Sequence, residues 1–272
     1  MKEKVVSDLP IKYDLKLAYV LSVIIAALMT LASISGILFS STIYPTEELA
    51  TTFISNDVVN LVIGLPIIVV SIFLIMRKKL IGLLFLPGAI FYVFYNYLIY
   101  VFAMPFNITF IINLILVTLS LYTTLILIQG FDGTKIKEKL SDRVHEKISG
   151  GILVAMGLLF ILQVFGAMFG SVINQTPIIE IDLAVHVSDF LISPALLIGG
   201  ILLWRRKEFG YLSGLGLLFQ ASMLFVGLIM FLIIQPILSS TPMLLGDLLV
   251  VGIMSLICFV PFGLFVRGVQ ES

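Results

Sequence analysis

The chain has 272 residues, of which 60% are hydrophobic and 12% are charged, and its formal net charge at pH 7 is zero. Soluble domains carry only about 45–50% apolar residues, so this composition excludes a water-soluble globular fold. The zero net charge gives no indication of a nucleic-acid partner. The single cysteine, Cys258, excludes an intramolecular disulfide and a cluster of thiolate metal ligands.

Apolar runs long enough to cross a bilayer recur along the whole chain. The hydrocarbon core is about 30 Å thick and takes about 20 helical residues to cross. Helices are expected there, because hydrocarbon forces backbone groups to hydrogen-bond internally. We therefore predict an all-α, polytopic transmembrane helix bundle surrounded by the lipid bilayer. Its eight predicted spans are residues 17–39, 57–76, 80–103, 108–128, 151–173, 185–204, 209–234 and 245–266.

The basic residues predict the orientation of these spans. All 16 Lys and Arg residues fall in segments on one side of the predicted bundle, and the segments on the other side have none. Basic residues mark cytoplasmic loops, so both termini are expected in the cytoplasm. The basic segments are residues 1–16, 77–79, 129–150, 205–208 and 267–272.

Residues 129–150 form a polar connector between the fourth and fifth spans. Its apolar residues recur every four positions, at Ile136, Leu140, Val144 and Ile148, with charged residues between them. This period predicts an amphipathic helix that lies on the cytoplasmic leaflet. The alternative is that the connector docks a cytosolic partner protein.

The chain is similar to itself when Pro66 is set on Pro194 and the sequences around them are aligned without a gap. In this alignment, which we call the repeat alignment, spans two and three superpose on spans six and seven. Each half contains an even number of spans, so residues 1–128 and 151–272 are predicted to be parallel repeats, related by an axis along the membrane normal. The superposed pairs are Pro66 and Pro194, Arg77 and Arg205, Lys79 and Lys207, Gly82 and Gly210, Gly88 and Gly216, and Phe91 and Phe219.

Pro66 and Pro194 lie inside the second and sixth spans. A proline within a helix removes an N–H donor and bends the axis. One interpretation is a packing kink in each helix. The other is a pair of broken helices whose exposed backbone lines a substrate site, which membranes tolerate where protein or water satisfies the freed groups.

On the side opposite the basic segments, the charged residues are all acidic. Asp182, His186 and Asp189 are spaced four and three residues apart, which places them on one face of a helix. Two carboxylates around an imidazole are candidates for a divalent metal site or a proton relay. The alternative is that span six begins late, which leaves Asp182 and His186 in the loop. Asp189 lies deeper, where ionisable groups usually face a cavity or a partner.

Polar residues lie at corresponding depths in the two predicted halves. Asp57 and Asn60 share one helical face in the first half, and His186 and Asp189 lie at a similar depth in the second. Together with Gln220, they predict an outward-facing polar vestibule between the repeats that binds a ligand.

Span three is rich in aromatic residues between positions 91 and 100. Tyr97 and Tyr100 are predicted to anchor the span at the membrane interface. Tyr92 and Asn96 lie deeper and need hydrogen-bond partners within the bundle. They either form structural bonds between helices or line the same ligand-binding vestibule.

Residues 55–66, with Pro87-Gly88 and Tyr95-Asn96-Tyr97 after them, resemble part of a family of multi-span membrane proteins of bacteria and archaea that has no assigned function. The resemblance covers most of the chain. It implies a location in a prokaryotic plasma membrane, and it supplies no activity and no catalytic residue.

Three functions remain open at this point. The sequence contains no Walker loop, serine-hydrolase elbow or zinc-protease motif, and no cofactor is expected. The first hypothesis is a transporter or receptor for a small solute or ion. The second is a non-catalytic membrane scaffold or assembly factor, in which residues 129–150 recruit a partner. The third is a membrane-embedded, metal-dependent enzyme that acts on lipid.

Overall fold

A computed structural model describes residues 9–106, 108–239, 242 and 245–271. Over these residues the protein is all-helical apart from an isolated β-bridge between Ile11 and Phe131. Eight stretches of helix in this part are long and apolar enough to cross a membrane, which confirms an all-α fold with eight candidate spans. The helices are α1 Lys16–Leu38, α2 Ser40–Ile43, α3 Glu47–Val59, α4 Leu65–Met76, α5 Leu80–Ala103, α6 Ile108–Gly130, α7 Gly133–Leu140, α8 Glu146–Asn174, α9 Glu180–Trp204, α10 Glu208–Leu238 and α11 Leu245–Gln270.

The two ends of the bundle differ in charge. Residues 77–79 and 205–207 lie at one end, which we call the basic face. Glu48 and Glu180 lie in the first turns of their helices at the opposite end, which we call the acidic face. The first half of the chain comprises α1 to α6, and the second half comprises α8 to α11.

At the acidic face, two spans begin earlier in the structure than in the prediction. Helix α3 begins at Glu47 and not at residue 57, and α9 begins at Glu180 and not at residue 185. Acidic side chains in a first turn stabilise the positive end of the helix dipole, so each helix extends beyond its apolar run. The alternative that placed Asp182 and His186 in a loop is therefore wrong, because both lie within α9.

The α4–α5 and α9–α10 connections at the basic face are tight turns of the same conformation. Lys78 and Arg206 both adopt left-handed backbone angles, with φ of 56° and 53°. In each turn, the amide of this residue donates to a carbonyl three residues back, at 2.8 Å to Ile75 and 2.9 Å to Leu203. These bonds satisfy carbonyl groups that a helix end leaves free.

Helices α5 and α10 form the centre of the bundle. Helix α5 packs against α4, α6, α9 and α10, and α10 packs also against α3, α9 and α11. The two helices cross where Gly88 meets Gly216, so closely that a methyl group added to Gly88 would collide with the Gly216 backbone. Small residues allow this kind of backbone approach between membrane helices. Most of α5 is buried as a result.

The connector packs its apolar residues against the protein. Helix α7 ends at Leu140, and Asp142 after it adopts a left-handed conformation with φ of 64°. Ile136, Leu140 and Val144 are buried, whereas Ile148 lies on α8 and is 52% exposed. The structure thus differs from the predicted single amphipathic helix, because the break at Asp142 redirects the chain.

Polar contacts hold both ends of the connector. Glu146 accepts a hydrogen bond from the Tyr211 hydroxyl at 2.7 Å and lies 3.5 Å from the Arg206 guanidinium. At the start of α7, the Lys135 backbone N–H donates to the Asp132 carboxylate, which caps the helix and lowers the pKa of Asp132. The connector is therefore a fixed part of the basic face.

The Gly88→Ala variant should be less stable than the parent chain, because the added methyl group collides with α10 at Gly216. Overpacking of this kind costs about 1–3 kcal/mol of unfolding free energy. Gly252→Ala is the matched control, since nothing lies within 4 Å of a methyl group there. Thermal unfolding in one detergent measures the difference. Equal midpoints for Gly88→Ala and the parent chain would contradict the crossing.

Candidate functional site

Asp57 is a buried carboxyl group in the second span, two residues before the end of α3. The residue is 1% exposed. Its Oδ2 accepts a hydrogen bond from the Tyr44 hydroxyl at 2.5 Å, and its Oδ1 accepts one from the Tyr100 hydroxyl at 2.8 Å. Gly36 leaves the space for this group, because a methyl group there would collide with the Asp57 carboxyl. Two phenols therefore hold Asp57, and neither carries a positive charge.

The Tyr100 hydroxyl has two acceptors within reach and one proton to donate. It lies 2.8 Å from the Asp57 carboxyl group and 3.2 Å from the Phe53 carbonyl. When Asp57 is ionised, Tyr100 donates to the carboxylate. When Asp57 is protonated, the carboxyl O–H can donate to Tyr100 while Tyr100 donates to Phe53. Burial, and then Asp57 itself, raise the pKa of Tyr44, so this second hydroxyl keeps its proton.

Asn60 is a second buried polar group and joins three parts of the first half. Its Nδ2 donates to the Ser33 hydroxyl of α1 at 3.1 Å. Its Oδ1 accepts from the Tyr92 hydroxyl at 2.8 Å and from the Asn96 amide at 2.9 Å, both on α5. The structure thus brings Asn60, Tyr92 and Asn96 together, but as a closed hydrogen-bonded cluster and not as the lining of an open vestibule.

The helix of the second span widens at Asn60. Residues Asn60–Gly64 form a π-helical turn, in which the Leu65 N–H donates to the Asn60 carbonyl five residues back. Pro66 lies two residues after this turn and has no N–H of its own. Pro194 lies instead within the continuous α-helix α9. Of Pro66 and Pro194, therefore, only Pro66 accompanies a change of helix type. Single π-helical turns are common at functional sites.

Asp189 is a buried carboxyl group in the sixth span, in the second half of the chain. The residue is 4% exposed, and its Oδ1 accepts a hydrogen bond from the Tyr95 hydroxyl at 2.9 Å. Tyr95 lies on α5, so a residue of the first half holds a carboxyl group of the second. Helix α5 therefore donates to both buried acids, through Tyr100 to Asp57 and through Tyr95 to Asp189.

Several buried polar groups of the second half have no hydrogen-bond partner among the described residues. Gln220 is fully buried, and neither its amide nitrogen nor its amide oxygen has a partner; the Ser188 hydroxyl is also buried without one. The repeat alignment sets Ser188 on Asn60 and Gln220 on Tyr92, which bond to each other in the first half. An unsatisfied buried polar group costs about 1–3 kcal/mol. A bound water or ligand is the usual explanation for such groups.

Asp182 and His186 lie in a pocket of their own. It has a volume of about 290 Å³ and lies between the ends of α8 and α9. Asp189 turns away from it, toward Tyr95. No group of three His, Cys, Asp or Glu side chains in the described part of the chain could hold a metal ion. Asp182, His186 and Asp189 are therefore not brought together as metal ligands. The metal site predicted for a lipid enzyme is not formed by these three residues.

Another pocket on the acidic face lies between the two halves. It has a volume of about 430 Å³ and is lined by the first turn of α3, the end of α5 and the first turn of α9. Glu48 contributes a carboxylate from the first half and Glu180 one from the second. Ala103 also lines it and lies three residues after Tyr100. The pocket is therefore about one turn of α5 from the residue that donates to Asp57.

The tyrosines that hold the acids were not predicted as site residues. Tyr97 and Tyr100 were expected at the membrane interface, but both are buried, and the Tyr97 hydroxyl lies 3.5 Å from the Ser33 hydroxyl. Tyr44 and Tyr95 were likewise not predicted as site residues. One signal was available, because a carboxyl group such as Asp57 in an apolar span needs donors, and four tyrosines lie between positions 92 and 100.

Comparisons with known proteins give no relative for this arrangement: no protein-family model, curated protein sequence or solved structure matches the chain. The interpretation of the site therefore depends on its own geometry. That geometry consists of two buried acids held by α5, a closed polar cluster in the first half and unsatisfied polar groups in the second.

The Asn60→Ala variant should be less stable than the parent chain, because it removes the acceptor of Tyr92 and Asn96 and the donor to Ser33. Hydrogen bonds between membrane helices contribute about 0.6 kcal/mol each, so three predict a loss of about 2 kcal/mol. The control is Asn174→Ala, at the exposed end of α8. Equal unfolding of the two variants in detergent would show that the cluster contributes nothing to stability.

Proposed function

We propose that the protein is a transporter of a small solute or ion that takes up a proton or a small cation at Asp57 and Asp189. The observation that carries the proposal is the burial of two carboxyl groups in the spans, with no basic partner among the residues that the structure describes. The groups that donate to them are the hydroxyls of tyrosines. The Lys and Arg residues lie in the segments outside the predicted spans.

A lone charge inside a membrane protein is costly, so a buried carboxylate needs a counter-charge or a proton. Without a basic side chain beside it, the counter-charge must come from outside the protein. The surroundings of Asp57 suit both its ionised and its protonated form, because Tyr100 can donate to the carboxylate or to the Phe53 carbonyl. A group that gains and loses a proton while its hydrogen bonds persist is well suited to couple ion movement to solute movement.

The acidic face offers an entrance for such an ion. Glu48 and Glu180 line the pocket between the halves, and cavities of one charge concentrate ions of the other. Deeper in the second half, Ser188 and Gln220 present buried polar groups that have no partner within the described residues. These groups are candidate ligands for the solute.

We also propose that residues 1–128 and 151–272 are parallel repeats. Three observations that agree with the repeat alignment support this: the left-handed turns at Lys78 and Arg206, the meeting of Gly88 with Gly216, and the mutual packing of the halves. Helix α5 packs against α9 of the second half, and α10 packs correspondingly against α3 of the first. A twofold axis through the glycine crossing would relate the two sets of contacts.

The distribution of basic residues supports an orientation with the basic face and both termini in the cytoplasm. The resemblance to bacterial and archaeal membrane proteins supports a plasma-membrane location. Both proposals place the Glu48 and Glu180 pocket outside the cell, where a solute would first be met.

A membrane scaffold is the second candidate, and the closed polar cluster of the first half favours it. Asp57 and Asn60 are buried and well supplied with hydrogen bonds, as expected of groups that fix helix packing. A cytosolic partner would then bind the charged side of α7, because Ile136 and Leu140 are buried within the protein.

Proton flux into proteoliposomes tests transport directly. Vesicles that contain the purified protein and an internal pH dye receive an inward proton gradient, with and without a panel of amino acids, sugars and inorganic cations. We expect a flux that depends on at least one of these solutes. Asp57→Asn and Asp189→Asn should each abolish it, whereas Asp182→Asn, at an exposed acid of α9, should retain it. A flux that survives both of the first two substitutions would reject these acids as the coupling site.

Cysteine accessibility separates the transporter from the scaffold and tests the orientation. Single cysteines are introduced by Glu48→Cys, Ser188→Cys and Lys207→Cys in a Cys258→Ser background. An impermeant thiol reagent added outside should modify the first and spare the third. The second should react only when a transported solute or a pH gradient is present, because Ser188 is buried at rest. Protection of Ser188→Cys under every condition would favour the scaffold.

A further inference from the structure

An apolar groove lies on the side of the bundle, between α5, α6, α9 and α10. Gly88 and Gly216 are among its lining residues, so the groove reaches the helix crossing, and Leu125, Ile198 and Phe209 line it further out. Its volume is about 240 Å³. A cavity of about 150 Å³ is large enough to bind benzene, so this groove has room for a longer apolar group.

The groove opens sideways toward the membrane. Leu125 is 44% exposed and Ile198 is 54% exposed, and both belong to the apolar surfaces of their spans. In a bilayer, the molecules that meet such an opening are the lipids. An acyl chain matches the apolar lining, and it is present at high concentration beside the opening.

One polar group in the groove has no partner within the described part of the chain. The Thr124 hydroxyl is buried and has no hydrogen-bond partner among the described residues, although the hydroxyl of the neighbouring Ser213 donates to the Phe209 carbonyl at 2.8 Å. Thr124 is six residues from Gly130, the end of α6, or about 9 Å at 1.5 Å per residue. That depth is close to the boundary of the hydrocarbon core, where the ester groups of phospholipids lie.

The repeat alignment relates this groove to a position on the other side of the helix crossing, and that position is filled by side chains. Phe85, which the repeat alignment sets on Ser213, packs against Phe219 and Phe262, with ring centroids 5.8 and 5.7 Å apart. The groove therefore exists on one side because a serine takes the place of a phenylalanine. Packing of the crossing itself does not require a groove, since the filled side packs without one.

We propose that this groove binds one acyl chain of an anionic phospholipid from the leaflet at the basic face, with a lipid ester oxygen accepting a hydrogen bond from Thr124. The charge of the headgroup is inferred from Arg205 and Lys207, which are exposed at the turn just before Phe209. Cations at this level attract anionic headgroups. The lipid site is independent of the solute proposed above.

Photo-crosslinking tests the site on the whole protein. The protein is reconstituted with phosphatidylglycerol that carries a diazirine on one acyl chain, irradiated, and mapped by peptide mass spectrometry. We expect labelling of Leu121, Leu125 and Ile198 to exceed that of Val20 and Val23, which are at least as exposed on α1, by about tenfold, corresponding to about 1.4 kcal/mol. Equal labelling of the two surfaces would overturn the proposal.

Substitutions in the groove give a second readout. Ser213→Phe should reduce labelling of the groove to that of α1, while Ser213→Ala, which leaves the space open, should retain it. Thr124→Val keeps the shape of the side chain and should lower the labelling. This variant tests the lipid site if Ser213→Phe fails to fold. Unchanged labelling in Thr124→Val would reject the hydrogen bond. The same tail on phosphatidylcholine should label the groove less, and equal labelling would reject the anionic headgroup.

Discussion

The close approach of α5 and α10 at Gly88 and Gly216 is the constraint on which the rest of the structure depends. With no side chains between them, the two helices form the centre, and the remaining spans pack around them. Most of α5 is therefore buried, so its polar residues must find partners in neighbouring helices. Tyr92 and Asn96 find Asn60, while Tyr95 and Tyr100 find the two buried acids. The glycine crossing and the polar site are thus two results of the same packing.

The two halves use similar positions for different purposes. Asn60 and Tyr92 bond to each other, whereas Ser188 and Gln220, which the repeat alignment sets on them, remain without partners in the described part of the chain. A polar pair that is satisfied holds helices together, and one that is not satisfied needs a further molecule. At these positions, the first half therefore has the properties of a frame and the second those of a binding region.

Much of the fold could be predicted from the sequence, because the apolar runs and the basic turns follow directly from the chemistry of the bilayer. Prediction from the sequence located buried polar side chains where one interrupts an apolar run, as at Asp57, Asn60 and Asp189. It failed where contacts depend on which faces of helices meet. The spacing of Asp182 and Asp189 put them on one face of α9, but the position of Tyr95 on another helix decides where Asp189 bonds. Such long-range contacts leave no periodic pattern in one sequence.

The attachment of both acids to one helix has a mechanical consequence. Tyr95 and Tyr100 lie on the same helix, so a small translation of α5 along its axis changes the hydrogen bonds to Asp189 and Asp57 together. If protonation of one acid favours a particular position of α5, the affinity of the other acid for its proton must change as well. Thermodynamic reciprocity makes that effect equal in both directions. Two sites on separate halves of the chain would then titrate as a single cooperative unit.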